Sequence, residues 1–193
     1  MEIVIIDYGS GNIRSIQFAL QRLGYESCLS KDISQIMGAD KVIFPGVGEA
    51  SSAMKKLRDS GLIDIIPNLK QPVLGICLGM QLMCKATEEG KTTSLGIFDC
   101  EVSKFSKSVK VPQIGWNNIH NFNSKLFDGI SEQEYMYLIH SYYAPKCAET
   151  IALANYDIEY SVGLCKNNFY GVQFHPEKSG KAGEQILANF LKL

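Results

Sequence analysis

Five consecutive residues, Gly75-Ile76-Cys77-Leu78-Gly79, have the spacing that exposes a nucleophile. Glycine on each side of a central residue, between an apolar run and a helix-forming stretch, permits a sharp strand-to-helix turn that pushes the central side chain out of a sheet edge. A cysteine in that turn sits at a helix N-terminus, where the macrodipole favours thiolate. The plainer reading of the same residues is a buried cysteine in a tight turn. A base elsewhere in the chain changes the balance. Phe174-His175-Pro176-Glu177 places an imidazole just after a strand and a carboxylate two residues on. The intervening proline fixes one dihedral, so that Glu177 can reach the far ring nitrogen. Cys77, His175 and Glu177 together read as nucleophile, general base and orienting group for acyl transfer. Such chemistry also needs donors for a developing oxyanion. The Leu78 amide, just after the nucleophile, is one, and Pro45-Gly46-Val47-Gly48 offers others at the end of a second strand.

The elements that must position these residues alternate in the first half of the chain. Glu2 to Asp7, Tyr25 to Leu29, Lys41 to Phe44 and Pro72 to Ile76 read as strands. Asn12 to Leu23, Glu49 to Asp59 and Leu78 to Lys85 carry helical periodicity. This rhythm implies a mostly parallel sheet with helices on both faces, an α/β fold. The second half changes to short strands separated by turn signals: Cys100 to Phe105, Trp116 to His120, Tyr135 to Ile139, Ile151 to Asn155, Ser161 to Lys166 and Phe169 to Phe174. Several of these are expected as antiparallel hairpins beside the parallel sheet. A last helix is expected over Lys181 to Leu191. Thr87 to Ser94 has the composition of a mobile loop. No repeat or linker divides residues 1–193, so a single domain is expected.

Composition narrows the function classes. Nineteen basic against twenty acidic residues give a formal net charge of −1, no field for nucleic acid or an anionic membrane. The apolar runs are too short to span a bilayer, and the opening lacks the pattern of an export signal. The six cysteines form no C-x-x-C pair, and the three histidines do not join them at zinc spacing. A reduced, cytoplasmic chain with no metal is expected. Tyr8-Gly9-Ser10-Gly11-Asn12-Ile13-Arg14 resembles a dinucleotide fingerprint, but Arg14 stands where the third glycine is needed, and no cofactor is expected.

Taken in order, Pro45-Gly46-Val47-Gly48, Gly75-Ile76-Cys77-Leu78-Gly79-Met80-Gln81 and His175-Pro176-Glu177 resemble the three signature blocks of the class I (triad-type) glutamine amidotransferases. Asp7 to Asn12, Gly115-Trp116-Asn117, His140-Ser141-Tyr142-Tyr143 and Glu177-Lys178-Ser179 are most similar to the glutaminase subunits of imidazole glycerol phosphate synthases, which serve histidine biosynthesis. The resemblance runs nearly end to end and implies a flavodoxin-like fold. It also implies that Cys77 attacks the carboxamide of glutamine, with His175 moving the proton and Glu177 holding the imidazolium. Gly46, Val47, Gly48, Leu78 and Gln81 would hold glutamine and its oxyanion, with Ser141 and Tyr142 lining the pocket. Ammonia would pass to a (β/α)8-barrel cyclase in a heterodimer, where a ribosylamino-imidazole nucleotide is converted to imidazole glycerol phosphate and an aminoimidazole carboxamide ribotide. Asn12 and Lys178 would lie at that interface. The chain departs from the family where Pro112-Gln113-Ile114 replaces the usual Pro-His-Met, and over Glu88 to Leu95. Diverged paralogues that resemble these subunits supply ammonia to surface-sugar amidination instead, an alternative that changes only the acceptor enzyme. A non-catalytic scaffold would have lost a triad member, and none is missing. A peptidase-type cysteine hydrolase fits less well the Gly-Met-Gln that follows the nucleophile.

Overall fold

A strand that is apolar at every position must be covered on both faces. Ile3–Ile6 (β1) is covered in this way in the computed structural model, which describes residues 1–193. Val4 and Ile6 enter one core cluster, Ile3 and Ile5 the other. Helix Ile13–Arg22 (α1) follows, then strand Cys28–Ser30 (β2), helix Ile33–Gly38 (α2), strand Lys41–Phe44 (β3) and helix Ala50–Asp59 (α3). Strand Val73–Ile76 (β4) runs into the six-residue helix Leu78–Met83 (α4). The strands of the second half are Cys84–Thr87 (β5), Thr92–Thr93 (β6), Phe98–Lys104 (β7), Gln113–His120 (β8), Glu134–His140 (β9), Tyr142–Tyr143 (β10), Thr150–Tyr156 (β11), Ile158–Lys166 (β12) and Phe169–Val172 (β13). Helix Gly180–Lys192 (α5) closes the chain.

Nine strands form one sheet in the order β2-β1-β3-β4-β13-β12-β11-β8-β9, and β10-β7-β5-β6 form a second, smaller one. The first five strands of the large sheet are parallel, because β13 returns to pair in parallel with β4. From β13 outward the pairing is antiparallel. α1 and α5 cover one face through Ile16, Leu20, Ile186 and Phe190. α2, α3, α4 and the small sheet cover the other through Ile36, Met54, Leu57, Leu82 and Phe98. The chain therefore has the α/β fold anticipated from its alternating pattern. No helix is long and apolar enough to cross a membrane.

Three expectations need correction. The second-half hairpins do not lie beside the parallel sheet: β8, β9, β11 and β12 extend it, and only β5, β6, β7 and β10 form a separate sheet. The helix after Cys77 stops at Met83, since Cys84 adopts extended backbone and opens β5. Thr87 to Ser94 is built rather than free. It holds a short 3-10 turn, Glu89–Lys91, and strand β6, and Glu89 accepts a hydrogen bond from the Ala50 amide at 2.8 Å. Helix α2 carries only one buried residue, Ile36, too little periodicity for the sequence to announce it.

The turn from β4 into α4 fits only because its flanks lack side chains. A Cβ on Gly79 would run into the Phe44 carbonyl oxygen, and one on Gly75 would meet the Met80 amide nitrogen at 2.9 Å. Both neighbours are backbone and cannot move aside. Gly79→Ala should therefore cost about 3 kcal/mol, the upper range for overpacking. Gly24 has φ +85° but nothing within 4 Å of a would-be Cβ, so Gly24→Ala should cost only about 1 kcal/mol of backbone strain. Urea midpoints of the two variants test this, and equal losses would show that the Phe44 contact does not dictate the glycine.

Candidate active site

Cys77 caps α4 with φ 54° and ψ −111°, a conformation L-residues rarely hold. Strands on both sides enforce it. The Cys77 amide donates to the Val172 carbonyl at 2.8 Å, carrying the β4–β13 ladder one residue past the end of β4. The thiol is thereby lifted above the carboxyl edge of the sheet, at the start of a helix whose first amides, Leu78 included, have no partner within the helix. Its sulfur lies 3.8 Å from the Ile139 carbonyl and accepts from the Gln173 side-chain amide at 3.7 Å.

Phe169–Val172 ends three residues before His175, so the same register delivers the imidazole to the same edge. His175 is held there by its own amide, which donates to the Tyr137 carbonyl at 2.9 Å. The ring is 3% exposed, deeper than a strand-end position implies. His175 Nδ1 and Glu177 Oε1 are 2.8 Å apart, while Nε2 has no partner within hydrogen-bond distance. Burial works against a charge on this ring. The Cys77 and Glu177 side chains outweigh it and push the His175 pKa up to about 10. Imidazole and carboxylate are thus paired, with the thiol close enough to raise the pKa of the ring.

Cys77 and His175 line a cavity of about 310 Å³ shared with Val47, Gly48, Leu78, Gln81, Ser141 and Tyr142, and Glu177 lies behind the imidazole. Each residue expected to hold substrate is therefore on this wall except Gly46. Gly46 is buried behind it, where a Cβ would lie 2.7 Å from the Gly79 amide nitrogen. The Val47 amide is not aimed at the nucleophile. It donates to Ser10 Oγ at 3.2 Å, and the Ser10 hydroxyl donates back to the Val47 carbonyl at 2.5 Å. Gln81 spends its side-chain NH₂ on the Tyr142 carbonyl (2.8 Å) and Gln173 Oε1 (2.7 Å), leaving its own oxygen for a ligand. Lys178 stands at the cavity wall with Nζ 5.7 Å from the centre of the Tyr137 ring, and Asn12 precedes α1, accepting from Ser15 Oγ at 3.0 Å.

Sequence reasoning missed two contributors, Glu89 and Gln173, and noted a third residue, Gln113, without its surroundings. Glu89 brings a carboxylate to the cavity; burial raises its pKa, and the Ala50 amide holds it in place. Gln173 is fully buried against Cys77. Gln113 is buried on β8, with Oε1 2.9 Å from the Tyr160 hydroxyl, which lies 3.2 Å from His140 Nε2. Glu89 left a signal as an acidic residue a short helix beyond the nucleophile, and Gln113 as the residue that departs from the family's usual histidine. A larger groove of about 920 Å³ lies between Asp7, Lys31, Lys56 and Asp59. It holds no cysteine or histidine, and its Lys56 is committed to the Gly9 carbonyl at 2.7 Å.

The sequence matches the family description "Glutamine amidotransferase class-I" over residues 4–193. It is 52% identical to the imidazole glycerol phosphate synthase subunit HisH of Bacteroides thetaiotaomicron and 45% identical to that of Yersinia pseudotuberculosis, each alignment covering 100% of both chains. The structure of PurLQS from Thermotoga maritima shares the fold, with a TM-score of 0.75 at 17% identity over 99% of this chain and 97% of that one.

The two buried histidines should titrate in opposite directions. Burial lowers the pKa of His140 to about 4, against a partial offset from the Tyr142 carbonyl. In an NMR titration, His175 should stay protonated at pH 8 and His140 neutral at pH 5.5. The raised pKa of His175 stabilises the fold fully below about 6.5, the unfolded value, and that contribution fades as pH rises towards 10. The lowered pKa of His140 contributes above about 6.5 and is lost as pH falls towards 4. Stability should therefore decline on both sides of neutrality. A His175 signal titrating near the ordinary imidazole value of about 6.5 would show that Cys77 and Glu177 do not hold its charge.

Proposed function

The chain belongs to the class I glutamine amidotransferases, and we propose that it is the glutaminase subunit of an imidazole glycerol phosphate synthase, acting in the cytoplasm as a single domain over residues 1–193. The observation that carries this reading is the Cys77–His175–Glu177 constellation at the carboxyl edge of β4 and β13. The Cys77 thiolate attacks the carboxamide carbon of glutamine, the imidazolium of His175 protonates the departing ammonia, and a thioester remains on Cys77. Water, with its proton taken by His175, then cleaves the thioester to glutamate and restores the thiolate. Glutamine and water become glutamate and ammonia, and no cofactor is required. Leu78 supplies one oxyanion donor, Gln81 and Glu89 contact the amino-acid end of the substrate, and Ser141 and Tyr142 form the wall beside them.

The acceptor enzyme in this reading is a (β/α)8-barrel cyclase forming a heterodimer with the chain. Ile114, Trp116, Tyr135 and Ile139 are all exposed. The β8–β9 register pairs Ile114 with Ile139 and Trp116 with Tyr137, which puts this apolar ladder on one face of the sheet margin. Lys178 packs over Tyr137, the middle rung of that ladder, beside the active cavity. An uncovered apolar face of this kind is what a stable partner buries. Asn12 on the opening loop joins the same docking surface.

The second oxyanion donor supplies the coupling. While Ser10 holds both polar groups of Val47, that amide is unavailable to the substrate. Glycines on both sides of Val47, Gly46 within the Gly46–Val47 peptide and Gly48 at φ +94°, let that peptide turn at low steric cost. Docking of the ligand-loaded cyclase on the neighbouring Asn12 loop releases it. Losing one such donor typically costs ~10² to 10³ in rate, enough for a switch.

Two outcomes are expected. Cys77→Ala should abolish glutamine-dependent synthesis yet leave synthesis from added ammonium intact, and the wild-type chain alone should hydrolyse glutamine at least ~10²-fold more slowly than with cyclase and its nucleotide ligand. Glutamate release assayed with and without partner tests both; full activity of the isolated chain removes the switch. Stimulation by a sugar-modifying synthase rather than the cyclase reassigns the acceptor. Trp116→Ala should weaken cyclase binding by about 2 kcal/mol, about 30-fold in Kd, by calorimetry. Unchanged affinity would place the interface elsewhere.

A further inference from the structure

Gln173 is fully buried, and its side chain lies between two polar groups of the active edge. Its oxygen accepts from Gln81 Nε2 at 2.7 Å, and its nitrogen lies 3.7 Å from the Cys77 sulfur. The orientation of this amide is dictated from outside. The Tyr142 carbonyl can only accept, so the group Gln81 turns towards it at 2.8 Å must be the NH₂. That same NH₂ has a second hydrogen, which only the oxygen of Gln173 can receive. The NH₂ of Gln173 is then forced towards Cys77. The Tyr142 carbonyl is itself fixed by a second donor, the Nδ1–H of His140 at 2.8 Å. A chain of neutral groups running from His140 through Tyr142 and Gln81 ends on the nucleophile, and each member determines which atom the next presents.

We propose that Gln173 is a further catalytic residue, whose amide hydrogen bond to Cys77 stabilises the thiolate over the thiol. The inference rests on Cys77 being the nucleophile and adds a donor to it. A sulfur that is an anion gains from an N–H donor in a dry site, whereas a neutral thiol is a weak acceptor. The Ile139 carbonyl, 3.8 Å from the sulfur, favours the thiol by accepting from S–H. Gln173 therefore opposes Ile139. The titratable groups around the sulfur are His175 backed by Glu177, Tyr8 beneath the opening loop, and His140, Glu89 and Lys178 on the cavity wall. None of these is hydrogen-bonded to Gln173, so its removal leaves their charges in place.

The test is the pH dependence of Cys77 alkylation by iodoacetamide in the full-length chain, read by peptide mapping, for wild type, Gln173→Leu and Gln173→Glu. The leucine variant should move the profile up by about one pH unit, a tenfold slower reaction on its acid limb. Gln173→Glu, of the same shape, should move it further, because a carboxylate facing the thiolate repels it. Folding of each variant is checked by near-UV circular dichroism. A folded variant with an unmoved profile overturns the proposal. In the wild-type protein, the Gln173 side-chain NH₂ resonances should be displaced when Cys77 is alkylated, a result independent of whether either variant folds; unmoved resonances overturn it equally. Preferential labelling of another cysteine would instead defeat the reading of Cys77 as nucleophile, so the two failures are distinct.

Discussion

The parallel pairing of β4 with β13 is the constraint on which the active edge depends. Val172 opposes Ile76, and the Cys77 amide caps the ladder on the Val172 carbonyl. From that register the next residues of both strands emerge at one edge: Cys77 and Leu78 from one, Gln173 and His175 from the other. Side chains alternate along extended backbone, so a slip of one residue would turn Gln173 away from the sulfur. Two buried apolar strands fix this register, because each is covered on both faces and neither can slide without exposing a core residue. The chemistry is therefore inherited from a packing arrangement 96 residues apart in sequence at its Cys77–Gln173 contact.

Much of this was legible in the sequence, for physical reasons that can be named. The elbow could be read because Gly75 and Gly79 are demanded by backbone atoms that leave no space for a Cβ. The imidazole–carboxylate pair could be read because its members stand only two positions apart in the chain. The apolar runs of β1, β3 and β4 could be read because a doubly covered strand has few polar positions. Less visible was the fate of the second-half strands. Phe169–Val172 looks like any short strand, and nothing local says that one of its partners is a parallel strand nearly a hundred residues earlier, besides its hairpin neighbour. Gln173 was opaque for a related reason. A glutamine carries no charge and no fixed spacing rule, and its role emerges only when three dimensions show what its amide touches.

Val47 shows the limit of reasoning from residue type. Its flanking glycines suggest a peptide that can rotate, but not the present direction of its amide. Ser10, on a loop whose glycines first resembled a nucleotide-binding turn, holds that amide. The opening loop thus has a use at the active edge without binding a cofactor. It ties the first β–α connection to the third strand's end, across the same sheet edge that carries the nucleophile.

The buried polar groups around the nucleophile divide into charged and neutral sets, and the division has a physical logic. His175 and Glu177 supply charge where a proton must move, and the desolvation of the ring is offset by Cys77 and Glu177 together. Behind the sulfur the protein uses amides, a carbonyl and an imidazole held neutral by burial. These groups present fixed dipoles whose state does not change with pH across the neutral range, so they orient the reacting atoms without competing for the proton. A lysine in place of Gln173 would favour thiolate more strongly, but it would bring a second cation beside the His175 imidazolium and draw the ring towards neutrality, removing the acid that the departing ammonia requires. An amide donates to the sulfur while leaving the charge of the ring to Cys77 and Glu177. Neutral donors behind the nucleophile and a single ion pair in front of it are thus two parts of one electrostatic arrangement.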